Sequence, residues 1–215
     1  DEKTYALHDP DGTILVPQSE CWRFITMDLA ATKRTTSDWT VAAVWDVAPW
    51  LTPSRLILTH VHRERLEGAE HLDLVKKLWT QWKPSFVGIE EAMQGSMTLA
   101  VSQRQGILVR PLKHKSRDKV FRAKDAELMV ENHRVYFPRK ASWLPTFEHE
   151  LLLFPTGTYD DQVDVFAYAA HEVLRGINMA RKEKDVTAPS IEEQCWAQVS
   201  RRGKVHEHPM LGTIR

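Results

Sequence analysis

Long apolar runs are missing from this 215-residue chain. None approaches the ~18–20 residues that a bilayer-crossing helix needs. The opening residues carry no basic-then-apolar stretch, so they do not read as a secretion signal. Cysteine is scarce: Cys21 and Cys195 stand far apart and form no CxxC pair. They read as free thiols in a reducing compartment, with a disulfide between them as the other option. No His/Cys set has zinc spacing, and His60 and His62, two apart on a strand, read as a solvated edge. A GxxxxGK[ST] loop is absent, so no ATP site is expected. Charge of one sign is absent too: 29 Lys and Arg balance 29 Asp and Glu. Bulk composition therefore does not advertise a nucleic-acid binder. No internal repeat is visible.

What is present is an ordinary core-forming composition, 42% hydrophobic and 27% charged. The charges are segregated. Residues 104–124 hold eight Lys or Arg and one acid, Asp118; residues 125–172 hold nine acids and three Lys or Arg. That distribution suits a basic surface beside an acidic pocket, and equally two solvated faces of opposite sign.

Residues 1–21 are polar, with turn signals at Asp9-Pro10-Asp11-Gly12, and read as a lead-in or short hairpin. Strands are expected over 22–30, 40–50 and 54–66. Leu72, Val75, Leu78, Trp79 and Trp82 recur at helical spacing before Lys83-Pro84. A strand over 85–91, a helix over 96–105 and a strand over 107–112 follow. A helix over 118–133, the brief extended "RVYFP", a half-helical 143–155 and a core helix over 160–179 complete the order. Three sequential strands suggest an antiparallel meander, and later strands each preceded by a helix suggest parallel crossovers. The fold class is α/β: a mixed five-stranded sheet with helices on both faces. Residues 22–180 form the domain, and 181–215 a polar tail. The eight tryptophans read as core and rim packing rather than a base-stacking platform.

Acids sit where strands end: Asp28 after Phe24–Met27, Glu90 and Glu91 after Phe86–Ile89. Singly, each is most readily an end-of-strand residue. The stretch "GTYDDQVDVFAYAAHEV" adds Asp160, Asp161 and Asp164 at a helix start. On a wheel, Val163, Phe166, Ala167, Ala170, Leu174 and Ile177 share one arc. Asp160 suits a cap, and acids suit a helix N-terminus. Asp164, one turn in beside the core, is poorly explained that way. Divalent cations explain the set: Mg²⁺ or Mn²⁺ takes a few carboxylates plus waters. Two such ions serve phosphodiester cleavage.

Four segments carry a family resemblance: "FITMDLAATKRTTSDWTVAAVW", "FVGIEEAMQGSMTLAVSQRQGILVRPL", "DKVFRAKDAELMVENHRVYFP" and "ELLLFPTGTYDDQVDVFAYA". In that order, over roughly 22–175, the chain resembles the C-terminal nuclease domain of the tailed-bacteriophage and prophage terminase large subunit. The resemblance implies an RNase H-like, retroviral-integrase-type fold. It implies a metal-dependent endonuclease that cuts double-stranded DNA with little sequence specificity during genome packaging. Asp28, Glu90, Asp161 and Asp164 would be catalytic and hold two Mg²⁺ or Mn²⁺ ions, with Asp160 and Glu91 ranked lower. Lys113, Lys115, Arg117 and Lys119 would bind DNA phosphates, followed by Lys33 and Arg34. Tyr159 stands where many relatives have histidine. Partners would be an ATPase motor domain, the portal and the small terminase subunit, with no membrane, in the cytoplasm of the bacterial host. The chain would be the nuclease part of a longer subunit or a stand-alone relative. A junction resolvase or transposase of the same fold, or a non-catalytic binding module, are the alternatives.

Overall fold

A computed structural model describes residues 3–30, 39–91, 93–112 and 119–187. The chain divides into two compact units, Asp1–Leu174 and Arg175–Arg215, and the first contains the sheet. The strands are β1 (Thr4–Asp9), β2 (Gly12–Pro17), β3 (Trp22–Asp28), β4 (Thr40–Ala48), β5 (Arg55–Glu64), β6 (Val87–Glu90), β7 (Val109–Leu112) and β8 (Val135–Tyr136). The helices are α1 (Ala69–Trp82), α2 (Met93–Arg104), α3 (Lys119–Glu131), α4 (Leu144–Leu153) and α5 (Asp161–Thr187). Among the described residues, no helix is long and apolar enough to cross a membrane.

The main sheet runs β7-β6-β3-β4-β5-β8. β3, β4 and β5 form the antiparallel meander, while β6, β7 and β8 each pair in parallel. The sheet has six strands rather than five. The sixth is the "RVYFP" piece, where Val135 and Tyr136 pair with Leu56 and Ile57. Two paired residues are too few to produce an alternating pattern.

Side-chain alternation sorts the sheet into two faces. Ile25, Met27, Val87, Ile89, Ala42 and Val44 pack with Leu74, Val75 and Leu78 of α1 and Leu99 of α2. α1 ends where Lys83 turns left-handed (φ 47) ahead of Pro84. The opposite face carries Phe24, Thr26 and Trp45, and meets α5: the Trp45 and Phe166 rings stack at 5.4 Å. α4 joins through Phe147, 6.4 Å from Phe166. α5 is buried on more than the expected arc, since Val165, Tyr168 and Ala169 are buried as well. Its first turns lie between the sheet and neighbouring elements, so the wheel arc facing the sheet understates its burial.

The N-terminal residues form the hairpin β1–β2, with Asp9 opposite Gly12 and Gly12 at φ 143. Leu7 and Val16 pack on Ala48 and Ile57. Below them Asp46 is fully buried. Arg23 donates to both its oxygens at 2.6 Å, and the Tyr5 hydroxyl donates to Oδ2 at 2.6 Å. Burial and then Asp46 push the Tyr5 hydroxyl well above the usual phenol range. His60 is not a solvated edge: its ring stacks on Trp82 at 5.4 Å and meets Trp143 edge-on.

These buried polar groups set how the fold responds to mutation and pH. Asp46→Asn strips the charge facing Arg23, whose side chain is 23% exposed. It should lower stability by about 3 kcal/mol, read as a shifted urea midpoint with unchanged slope. Burial lowers the pKa of both His60 and His71, and His62 and Lys77 lower His60 further. The unfolded chain therefore binds more protons below about pH 6.5, and stability is lost as pH falls through that value. Urea unfolding should show this loss, at most about 1.4 kcal/mol per pH unit for each histidine, and His60→Phe should reduce the slope.

Candidate metal centre

β3 and β6 run parallel with Ile25 opposite Val87, Thr26 opposite Gly88 and Met27 opposite Ile89. One step further, the same register sets Asp28 beside Glu90. Alternation turns both toward the α5 face, because Met27 and Ile89 point to the other core. The Asp28 carboxyl is hydrogen-bonded to that of Glu90. Burial, then the charge and hydrogen bond of Glu90, then Asp161 and Asp164 hold Asp28 well above the usual carboxylate range. Such burial and crowding disfavour the charged form of Asp28 unless a counter-cation is present.

The start of α5 supplies the rest. Asp161 and Asp164 are buried, 4% and 6% exposed. Three polar ties position this turn. The Thr26 hydroxyl donates to the Val165 carbonyl at 2.8 Å and accepts from Trp45 Nε1 at 2.8 Å. Buried Glu150 of α4 accepts from the Gln162 backbone N–H at 2.6 Å and from its side-chain amide at 2.7 Å. The Trp39 backbone N–H donates to Asp161 Oδ2 at 3.3 Å. Glu150 thus satisfies a free helix-end donor, a role the sequence pattern assigns to Asp160. The Asp160 carbonyl accepts from the Asp164 N–H at 2.9 Å. Its carboxylate turns outward to Lys119.

α3 brings cations onto these acids. Lys119 Nζ lies 2.8 and 2.7 Å from the Asp160 oxygens and 3.3 Å from Asp164. Arg122 donates to Asp164 Oδ1 at 2.9 Å. Burial raises the Asp164 pKa; Arg122 and Lys119 oppose the rise without cancelling it. For Lys119, burial pulls down, but Asp160 and Asp164 outweigh it and hold the amine above its ordinary value.

The structure therefore brings Asp28, Glu90, Asp161 and Asp164 into one electrostatic group, with Asp160 at its rim. Glu91 is exposed, and its N–H donates to the Leu112 carbonyl. Lys33, Arg34, Lys113, Lys115 and Arg117 lie outside the described residues. Lys119 is described, and it faces the carboxylates. Sequence reading missed Arg122, Glu150 and Thr26. Only Arg122 carried a signal there, as the residue one turn after Lys119 on a helix.

The donor set fits a hard divalent cation, being all carboxylate oxygen and crowded at an Asp28–Glu90 contact that a cation would relieve. Among the described residues, however, no three His, Cys, Asp or Glu side chains already close on one point as a cage. Oxygens of Asp164 are engaged by Lys119 and Arg122, so an ion must compete with them.

Thr26→Val keeps the shape but removes the tie to the Val165 carbonyl and leaves the Trp45 indole N–H unsatisfied. It should cost about 1–3 kcal/mol in urea unfolding, while Thr26→Ser stays near wild type.

The terminase RNaseH-like domain model matches residues 25–172. No curated protein matches the chain. The large terminase nuclease from thermophilic phage G20c with bound magnesium aligns at TM-score 0.56 and 18% identity, covering 78% of this chain and 85% of that one. The same nuclease with bound cobalt aligns at 0.56 and 19%, covering 77% and 90%. The Thermus phage P74-26 large terminase nuclease domain aligns at 0.54 and 20%, covering 70% and 79%. At these identities the likeness is one of fold, and it agrees with the mixed sheet described above. With the family model spanning most of the chain, this protein belongs to the terminase RNaseH-like domain family.

Proposed function

We propose that this domain is a divalent-metal-dependent endonuclease that hydrolyses double-stranded DNA with little sequence specificity during viral genome packaging. One observation carries the reading: the Asp28 and Glu90 carboxyls meet at adjacent strand ends, in one electrostatic group with the buried Asp161 and Asp164. Structural carboxylates rarely crowd like this unless a cation is part of their design.

Asp28, Glu90, Asp161 and Asp164 would hold two Mg²⁺ or Mn²⁺ ions. Bound there, the ions supply Lewis acidity, lowering the pKa of a water and offsetting charge that builds on the phosphate. Asp28 and Glu90, on the rigid β3–β6 pair, set the fixed side of the site. Asp161 and Asp164 are set by the Thr26 and Glu150 ties on α5. Lys119 and Arg122 carry positive charge at the rim and would pair with phosphate oxygens. No side chain here needs to form a covalent intermediate, and none is proposed. The G20c nuclease was solved with bound magnesium and with bound cobalt, which supports a divalent ion for a relative of this fold. In the packaging system the partners would be an ATPase motor domain, the portal and the small terminase subunit, acting in the host cytoplasm.

The test uses plasmid DNA with Mg²⁺ or Mn²⁺. Wild type should cut, and EDTA should stop it. Asp28→Ala and Asp164→Ala should each reduce cutting by more than about 10²-fold. Thermal unfolding gives a readout independent of cutting. Mn²⁺ at about 100 times its Kd should stabilise wild type by about 2.7 kcal/mol and Asp28→Ala far less. Cutting that persists in both variants would refute the site.

A further inference from the structure

Arg63 lies near the end of β5 and Arg65 one residue past it, and both guanidiniums lie against the ring of Trp39. Arg63 leaves the sheet face that bears the acids. Asp28 pairs with Val41, and Val41 pairs with Arg63, placing the three in one row across the sheet. Arg63 is thus two strand spacings, about 10 Å, from Asp28 along that row.

The two guanidiniums share one aromatic support. Their central carbons stand 4.1 Å (Arg63) and 4.3 Å (Arg65) from the centre of the Trp39 ring. Tyr159 completes the cluster. Its ring meets Trp39 edge-on at 6.3 Å, Arg63 stands 5.5 Å from its centre, and its hydroxyl accepts from Arg65 Nη2 at 3.4 Å. The cluster is joined to the acids through the Trp39 N–H bond to Asp161.

These arginines have little acid around them. Among the described residues, the one carboxylate near Arg63 is Glu150, at 3.5 Å. Arg65 has no carboxylate partner among them. The Nε of each is buried with no hydrogen-bond partner there. Two like charges side by side repel, and the aromatic face offsets this by only about 0.5–1 kcal/mol per cation. Each guanidinium retains donors in a fork shaped for phosphate. Lys119 and Arg122, by contrast, are already engaged by Asp160 and Asp164.

We propose that Arg63 and Arg65, supported by Trp39 and Tyr159, form a phosphate-binding shelf for the sugar–phosphate backbone of one DNA strand. The shelf lies on the β5 side of the acids, away from Lys119 and Arg122. This rests on the nuclease reading above and adds a second cationic wall to that site. Tyr159 then acts as an acceptor that orients Arg65, where many relatives would carry a histidine.

The test is fluorescence anisotropy of the full chain with labelled double-stranded DNA of mixed sequence, in an Asp28→Asn background that prevents cutting, across a range of salt. Arg65→Gln should weaken binding equally for unrelated sequences. It should also reduce the slope of log K against log salt by about 0.9 for each phosphate that Arg65 neutralises. Arg65→Lys should restore the slope but not the full affinity, since a point charge replaces the fork. With Asp28 intact, Arg65→Gln and Arg65→Lys should each be stabilised by Mn²⁺ as much as wild type, separating strand binding from metal binding. If Arg65→Gln fails to fold, Arg65→Lys carries the test by its affinity alone. A folded Arg65→Gln with wild-type affinity and slope, or an Arg65→Lys with wild-type affinity, overturns the shelf and leaves the nuclease reading standing. A wild-type chain that neither binds nor cuts DNA overturns both.

Discussion

Repulsion between carboxylates at neighbouring strand ends is the constraint around which this domain is arranged. β3 and β6 run parallel, and one step past the Met27–Ile89 pair sets Asp28 beside Glu90. The result is a hydrogen-bonded carboxyl pair in a place that disfavours charge. Around it, each polar contact either holds a further acid in position or brings a cation toward it. A fold selected for stability alone has no reason to collect acids there.

Precision comes from buried polar ties rather than from the apolar core. Thr26 lies two residues before Asp28, and its hydroxyl donates to the carbonyl of the residue after Asp164. One hydroxyl therefore links the strand acid to the helix acid. Glu150 anchors the same turn from α4, accepting from the Gln162 N–H and also standing 3.5 Å from Arg63. Apolar packing tolerates small sliding, whereas directed hydrogen bonds in a low-dielectric interior do not. At the far end of the sheet, Asp46 with Arg23 and Tyr5 ties the hairpin down in the same manner.

The legible part of the fold was the part carried by period. Alternation marked β3, β4 and β5, and the spacing of Leu72 to Trp82 marked α1. The Asp-Pro-Asp-Gly turn marked a hairpin that the structure forms. The extended "RVYFP" was legible, but its pairing as edge strand β8 was not, because two paired residues have no period. The burial of the first turns of α5 on most sides was understated because a wheel shows one neighbour at a time. His60 read as an edge residue because its partners, Trp82 and Trp143, are distant in sequence.

The chain order of residues determined by itself which side chains would be acids at strand ends and at a helix start. Local propensity and turn chemistry act over a few residues and need nothing else. It could not determine that Glu90 rather than Glu91 would meet Asp28, since that depends on a one-residue register between strands some sixty positions apart in the chain. Nor could it show that Arg63 and Arg65 would share the ring of Trp39, or that Glu150 would satisfy the start of α5. Those contacts arise from cross-strand register and helix docking, where packing of the whole core selects among local options that are each nearly equal in energy.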